Sequence, residues 1–181
     1  MTIELREAVN QAKSGCVFSV RERELTLESG RVGVISDTHG LLRAEAVAAL
    51  KNSELILHAG DIGKPEVLES LKAIAPVIAI RGNNDRDPWA KQLPDTLNLQ
   101  INGVRIHLIH DVNEMERDPG GDNLRMVVSG HSHKSSVVTR DGVLFINPGS
   151  AGPRRFKLPV AVARLRVFDQ GVRAKIIELK V

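Results

Sequence analysis

The feature that most constrains this chain is a rhythm of short apolar runs, each ending abruptly in a cluster of polar and glycine residues. Val32–Ile35 runs into Ser36-Asp37-Thr38-His39-Gly40, Leu55–His58 into Ala59-Gly60-Asp61, and Val77–Ile80 into Arg81-Gly82-Asn83-Asn84-Asp85. Runs this short, bounded by turn formers, read as buried strands, because a buried helix needs about ten residues or more. Between the first and second runs, Leu42, Ala46, Ala49 and Leu50 share one helix face. Between the second and third, Pro65 suits the first turn of a helix whose buried stripe is Val67, Leu68, Leu71 and Ile74. Strand–helix–strand–helix–strand implies right-handed crossovers and a parallel sheet.

After Trp89 the punctuation changes. Thr96–Ile101 and Val104–Ile109 flank Asn102-Gly103, Ser136–Arg140 and Val143–Ile146 flank Asp141-Gly142, and Val160–Phe168 and Val172–Leu179 flank Asp169-Gln170-Gly171. Each is a hairpin signal, so a mixed or antiparallel sheet joins the parallel one. Met126–Val128 is a further buried strand, and Pro119-Gly120-Gly121 keeps any helix between Asp111 and Arg125 short. Residues 1–30 differ: Ile3 to Lys13 is loosely periodic as a short helix, and Cys16 to Leu27 alternates as one or two strands. The expected layout is therefore an extension of unclear role over 1–30 and one domain over 31–181, within the ordinary size for a single core.

Composition by itself points away from several partners. A net charge of +3 with scattered basic residues does not call for a polyanion-binding surface, and four Phe, one Trp and no Tyr argue against extensive base stacking. The lone Cys16 forbids an intrachain disulfide, no apolar run suffices for a membrane span, and Met1–Asn10 lacks an apolar signal core. A cytoplasmic location is expected, with no membrane and no nucleic acid indicated as partner.

The chemistry gathers at the strand ends. Asp37 and His39 follow the first run, Asp61 the second and Asn83 the third; His110 ends Val104–Ile109, and His131 and His133 follow Met126–Val128. The intervals between 37, 61, 83, 110 and 131 are about those of strand-plus-return units, and sites in open α/β sheets form beyond the carboxyl ends of strands. Carboxylate, amide oxygen and imidazole together suit Mn²⁺, Fe²⁺, Zn²⁺, Co²⁺ or Ni²⁺. Seven donors exceed what one tetrahedral zinc takes and suffice for two ions if one carboxylate bridges; such a pair clamps a phosphoryl group and activates water. Taken singly the elements are weak. Asp37-Thr38-His39-Gly40 reads equally as a cap and turn, Gly60-Asp61 as a loop, and Gly82-Asn83-Asn84-Asp85 as a turn. His131-Ser132-His133 is the least expected by chance. His107, opposite in strand parity to Ile106 and Leu108, reads as structural, and His58 as either a core histidine or a support for the Asp61 loop.

In this order, Asp37-x-His39, Gly60-Asp61, Gly82-Asn83-x-Asp85, His110 and Gly130-His131-x-His133 resemble the motifs of the calcineurin-like metallophosphoesterase superfamily. The stretch from Val34 to Gly40 and Asn147-Pro148-Gly149-Ser150 are most similar to its small YfcE-type phosphodiesterase branch. The resemblance covers roughly residues 31–180 and implies an α/β domain built as a four-layer α/β/β/α sandwich with two mixed sheets. It implies one metal on Asp37, His39, Asp61 and His133, and a second on Asp61, Asn83, His110 and His131. Asp61 would bridge the two metals, and Asp85 would stand behind the ligands, orienting an imidazole. Two divalent ions are implied, Mn²⁺ first among them, with Ni²⁺, Co²⁺, Fe²⁺ or Zn²⁺ compatible. The implied activity is hydrolysis of a P–O bond in a small phosphodiester or nucleotide-like substrate, by a hydroxide generated between the metals, with the Asn83 amide balancing charge on the phosphoryl oxygens.

Two positions depart from the family pattern. Many larger members carry a histidine where Asn84 stands, and an amide is no general acid at neutral pH, so substrates with good leaving groups are favoured. Asp111 stands where the family usually has glycine, either as a partner of His110 or, the better reading, as a solvated loop residue. Arg86, Trp89, Arg154 and Arg155 follow motif loops and are candidates for substrate contact. The alternative function is a non-catalytic protein-binding scaffold, as in the retromer subunit of the same fold, which lacks a metal-binding histidine that this chain keeps.

Overall fold

A computed structural model describes residues 6–8, 22–116, 123–155, 157–169 and 171–181. Among the described residues, twelve strands form two sheets: β1 Arg6–Ala8, β2 Glu22–Leu25, β3 Arg31–Ile35, β4 Leu55–Ala59, β5 Val77–Ile80, β6 Thr96–Ile101, β7 Val104–Ile109, β8 Leu124–Val128, β9 Ser136–Arg140, β10 Val143–Asn147, β11 Ala161–Phe168 and β12 Gly171–Glu178. The five-stranded sheet has the order β12-β11-β3-β4-β5, with β3, β4 and β5 parallel and the β11–β12 hairpin antiparallel to β3. The seven-stranded sheet has the order β1-β2-β6-β7-β8-β10-β9 and is also mixed. Helices α1, Ala44–Leu50, and α2, Pro65–Lys72, are the two crossovers of the parallel unit.

Strand parity builds the layers. Val32 and Val34 of β3 and Leu55, Leu57 and Ala59 of β4 point to a core shared with Leu99, Ile101, Ile106, Leu108, Met126 and Val128 of the other sheet. Ile35 and Ile56 point the opposite way, onto Ala46, Ala49 and Leu50 of α1 and Val67, Leu68 and Leu71 of α2. Pleat alternation thus serves two apolar interfaces at once. The described residues supply the layers α/β/β; among them no α-helix lies on the far face of the seven-stranded sheet.

The N-terminal region differs from its expectation where it is described. Arg6–Ala8 is a strand antiparallel to β2, not part of a helix, because an edge of β2 offers a ladder that a weak three-residue period cannot outweigh. The rest of Ile3–Lys13, Cys16–Val20 and Pro119-Gly120-Gly121 lie outside the described residues. β2 runs parallel to β6, and Leu25 and Leu27 are buried in the core between the sheets. No helix among the described residues is long and apolar enough to cross a membrane.

His107 is structural, as its parity indicated: its Nδ1 donates to Asn98 Oδ1 on the neighbouring strand at 2.7 Å. Burial pushes its pKa down to about 4, and burial does the same to His58, also to about 4. Both rings are therefore neutral in the fold. The unfolded chain takes up protons near pH 6.5 that the folded chain refuses. Their contribution is thus complete above pH 6.5 and is lost as the pH falls towards 4. Chemical unfolding at pH 7 and pH 5 is expected to show a loss on the order of 2 kcal/mol per histidine; a stability flat across that range would show that these rings protonate within the fold.

Candidate metal centre

The loops that follow β3 and β4 continue side by side beyond the sheet. Asp37 N donates to Gly60 O at 3.0 Å, His39 N to Asp61 O at 2.9 Å and Gly40 N to Ile62 O at 2.7 Å. This parallel run requires residues that accept a left-handed backbone. Among the described residues, the non-glycine positions with positive φ are Asp37, His39, Asp61, His131 and His133, together with Asn102 and Asp141 of the hairpin turns. Asp, Asn and His tolerate this region best, yet it still costs energy, and such strain concentrates at functional sites. Five of the seven residues singled out as metal ligands are held this way.

Two tight groups result. Asp37, His39 and His133 place one ligand atom each within 4.8 Å of one another, and so do Asp37, Asp61 and His110. His133 Nε2 lies 3.3 Å from Asp37 Oδ1 and 3.3 Å from His39 Nε2; His110 Nε2 lies 3.4 Å from Asp61 Oδ2, and His39 Nε2 lies 3.9 Å from it. Asn83 and His131 form the outer rim. Both are exposed, with Asn83 Oδ1 3.2 Å from His131 Nδ1 and the His131 ring edge-on to His110 at 5.3 Å. His131 N donates to Asp37 Oδ2 at 3.1 Å. All seven residues converge, but Asn83 and His131 lie outside the tight groups.

The donors fit divalent cations. Asp37 Oδ1 and His110 Nε2 are buried and have no hydrogen-bond partner, an arrangement that costs energy unless a cation or proton takes the lone pairs. His110 Nδ1 donates to Ala59 O at 2.7 Å, which leaves Nε2 as the acceptor of the neutral ring. Burial disfavours a charged His110, but the Asp61 carboxylate 3.4 Å from Nε2, the Ala59 carbonyl on Nδ1 and the charge of Asp37 outweigh it, and its pKa is raised. Burial would also raise Asp61, yet His110 and Asn84 hold it well below the usual carboxylate range. His39 is shifted down by burial against the pull of Asp61 and Asp37.

Supporting residues take roles that the sequence did not reveal. Asp85 orients no imidazole among the described residues: its Oδ2 accepts from Gly82 N at 2.9 Å and Ile62 N at 3.0 Å, and its Oδ1 from Gly63 N at 2.8 Å. Backbone N–H groups surround it first, so it clasps the Asp61 loop to the loop after β5. Asn84 donates through its backbone N to Asp61 Oδ1 at 2.9 Å and through its amide to Asp61 Oδ2 at 2.6 Å. Asn147 donates to Gly130 O at 2.5 Å and Ser132 Oγ at 3.1 Å, and Ser150 Oγ donates to Asp37 O at 2.9 Å, so the Asn147–Ser150 motif braces the Asp37 and His131–His133 loops. His58 is a fully buried core histidine whose Nε2 donates to Thr38 Oγ1 at 3.0 Å, while Thr38 Oγ1 donates to Ile62 O. It supports the ligand loop and does not join either group.

At the rim, Asp111 is a loop residue that caps the short 3-10 turn Val112–Glu114, accepting from Asn113 N at 3.0 Å. Its other oxygen lies 3.5 Å from His131 Nε2, so it meets His131 and not His110. Of the four candidates for substrate contact, Arg155 reaches the centre, with a terminal nitrogen 3.5 Å from His39 Nε2. Arg154 donates to Val181 O, Trp89 packs against the helix-side core, and Arg86 donates to Asn83 O from the solvent side.

Two facing mixed sheets, with carboxylates and imidazoles gathered beyond the strand ends, make this an α/β protein whose candidate site suits divalent metals. The family model of the calcineurin-like phosphoesterase superfamily domain matches residues 31–170, and the chain belongs to that family. The YfcE phosphoesterase from E. coli shares the fold, with a TM-score of 0.56 at 21% identity, covering 83% of this chain and 100% of the other. A probable metallophosphoesterase from Methanothermobacter thermautotrophicus is 33% identical over 162 residues, 81% of this chain and 91% of that protein. The solved structure of an archaeal phosphodiesterase superposes with a TM-score of 0.67 at 24% identity, covering 81% of this chain and 99% of the other. Vacuolar protein sorting 29 from Cryptosporidium parvum superposes with a TM-score of 0.71 at 24% identity, covering 84% and 92%.

Proposed function

We propose that the protein is a phosphodiesterase working with two divalent cations, one held by Asp37, His39, Asp61 and His133 and the other by Asp61, Asn83, His110 and His131. The observation that carries this reading is the pair of buried, partnerless ligand atoms, Asp37 Oδ1 and His110 Nε2, facing one carboxylate cluster. Cations held by these residues would lower the pKa of water to give a nucleophile at neutral pH and would offset charge on the phosphoryl oxygens. The chain's own residues do the rest. Asp61 turns its Oδ2 towards both groups, His110 is fixed by Ala59 O, Asn84 holds the Asp61 carboxylate and Asp85 holds the loop that carries it. Asn84 sits where a proton donor would be needed and has none to give, so a leaving group that departs without protonation is preferred, and diesters of acidic alcohols meet that requirement.

Arg155 is placed to take a phosphoryl oxygen beside His39. Arg155→Gln is expected to raise KM for a diester about 10-fold while changing kcat less, as for a charge-assisted hydrogen bond made to substrate and transition state alike. Equal loss in kcat would instead put the guanidinium in the chemical step.

The test of the function itself is elemental analysis of the purified protein together with hydrolysis of bis(p-nitrophenyl) phosphate and p-nitrophenyl phosphate under added Mn²⁺, Ni²⁺ and Zn²⁺. Two metal equivalents and faster diester turnover are expected. The likeness to vacuolar protein sorting 29 favours a second reading, a binding scaffold. Bound metal without turnover on either ester would select it.

A further inference from the structure

We propose that the helix-side face of the five-stranded sheet, where it is exposed at the end away from the metal centre, binds single-stranded nucleic acid. Strand register assembles this face from distant positions. Arg166 of β11 stands opposite Arg31 of β3 on one side and Arg173 of β12 on the other, and one pleat along, Arg164 stands opposite Lys175. Alternate residues share a face, and adjacent strands lie about 4.8 Å apart, so five cations and Phe168 occupy one side of three neighbouring strands. All six are exposed. The chain as a whole carries a net charge of only +3, so positive charge is concentrated here.

Like charges directly opposite on neighbouring strands repel. Glu54, buried just before β4, takes the backbone N–H groups of Ser29 and Arg31 and offsets part of the Arg31 charge. Among the described residues no ion pair neutralises Arg164, Arg166, Arg173 or Lys175. A bound polyanion relieves the repulsion, and the face is already set for one. Arg31 Nε donates to Asn52 O at 2.6 Å and Arg164 Nε to Ala49 O at 2.6 Å. Both guanidinium planes are thereby fixed, while their terminal nitrogens have no partner among the described residues, the fork geometry that phosphate accepts.

The aromatic ring favours nucleic acid over an acidic protein. Phe168 lies over Gly171, where a β-carbon would overlap it, and the Arg173 guanidinium sits 5.6 Å from its centroid. An exposed ring backed by arginine is a platform for an unpaired base, which a duplex does not offer. Arg31 opens β3 and Asp37 follows its far end, so the surface lies roughly 20 Å from the metal centre. Its binding does not depend on the proposed hydrolysis.

The test is fluorescence anisotropy of a labelled 15-residue oligouridylate with the full chain in chelating buffer, so that cleavage plays no part. For about four phosphates neutralised, affinity is expected to fall about 50-fold between 50 and 200 mM salt. Arg166→Gln with Lys175→Gln should flatten the logarithmic salt slope by about 1.4, and Phe168→Ala should weaken binding about 10-fold. Lys91→Gln, an exposed cation on the 3-10 turn after β5, should change nothing. No binding at 50 mM salt, or an equal loss with Lys91→Gln, overturns the surface. Poly-aspartate binding as tightly, with Phe168→Ala silent, overturns nucleic acid in favour of an acidic protein partner.

Discussion

Asp61→Asn is expected to lower metal-dependent diester hydrolysis about 10³-fold, close to 4 kcal/mol of transition-state stabilisation, and to reduce the bound metal below two equivalents. Asp61 is 2% exposed, and its Oδ2 lies between His110 at 3.4 Å and His39 at 3.9 Å, one imidazole from each proposed site. An amide in its place carries no charge and offers one oxygen instead of two. The fold should tolerate the change, because rotation of the Asn84 amide restores a donor facing an acceptor. Melting in chelator checks the fold, and elemental analysis with kcat/KM checks the chemistry. Unchanged turnover at full metal content would remove Asp61 from its bridging role.

Gly82→Ala is expected to cost about 3 kcal/mol of stability and to lower kcat/KM about 100-fold. Gly82 does not need an unusual φ; it needs the absence of a side chain. A β-carbon there would overlap both the Asp61 carboxylate and the Asp61 backbone N, and no rotamer change moves a backbone atom. The Gly82 N–H is also tied to Asp85 at 2.9 Å, so the strain must spread into the loops after β4 and β5. Urea unfolding in chelator separates the packing cost from the metal contribution, since ligand binding adds to apparent stability. A variant with native stability and activity would show that the two loops are not packed as tightly as these contacts indicate.

The strands were legible because they are local. β3, β4 and β5, the Asn102-Gly103 and Asp141-Gly142 hairpins and helices α1 and α2 each declare themselves through burial period or turn chemistry within a few residues. The seven proposed ligands were legible as types at strand ends, and their order along the chain carried the family likeness. Arg6–Ala8 lies in a stretch with a loose helical period, yet it is a strand, because three residues have no pattern of their own and this strand exists through pairing with β2.

What tertiary structure alone decided is who touches whom. Nothing in Asn83-Asn84-Asp85 says that Asn84 grips the Asp61 carboxylate while Asp85 spends both oxygens on backbone N–H groups. Arg154 and Arg155 are adjacent and chemically identical, yet one caps the chain end and the other stands at His39. The basic face made of Arg31, Arg164, Arg166, Arg173 and Lys175 looks like scattered charge until three strands come into register. Local sequence determined which segments bury themselves and where the chain turns, since those depend on neighbours a few residues away. Long-range pairing and loop crossings determined which distant side chains share a few ångströms of space, and with that the charge of the pocket and of the outer face.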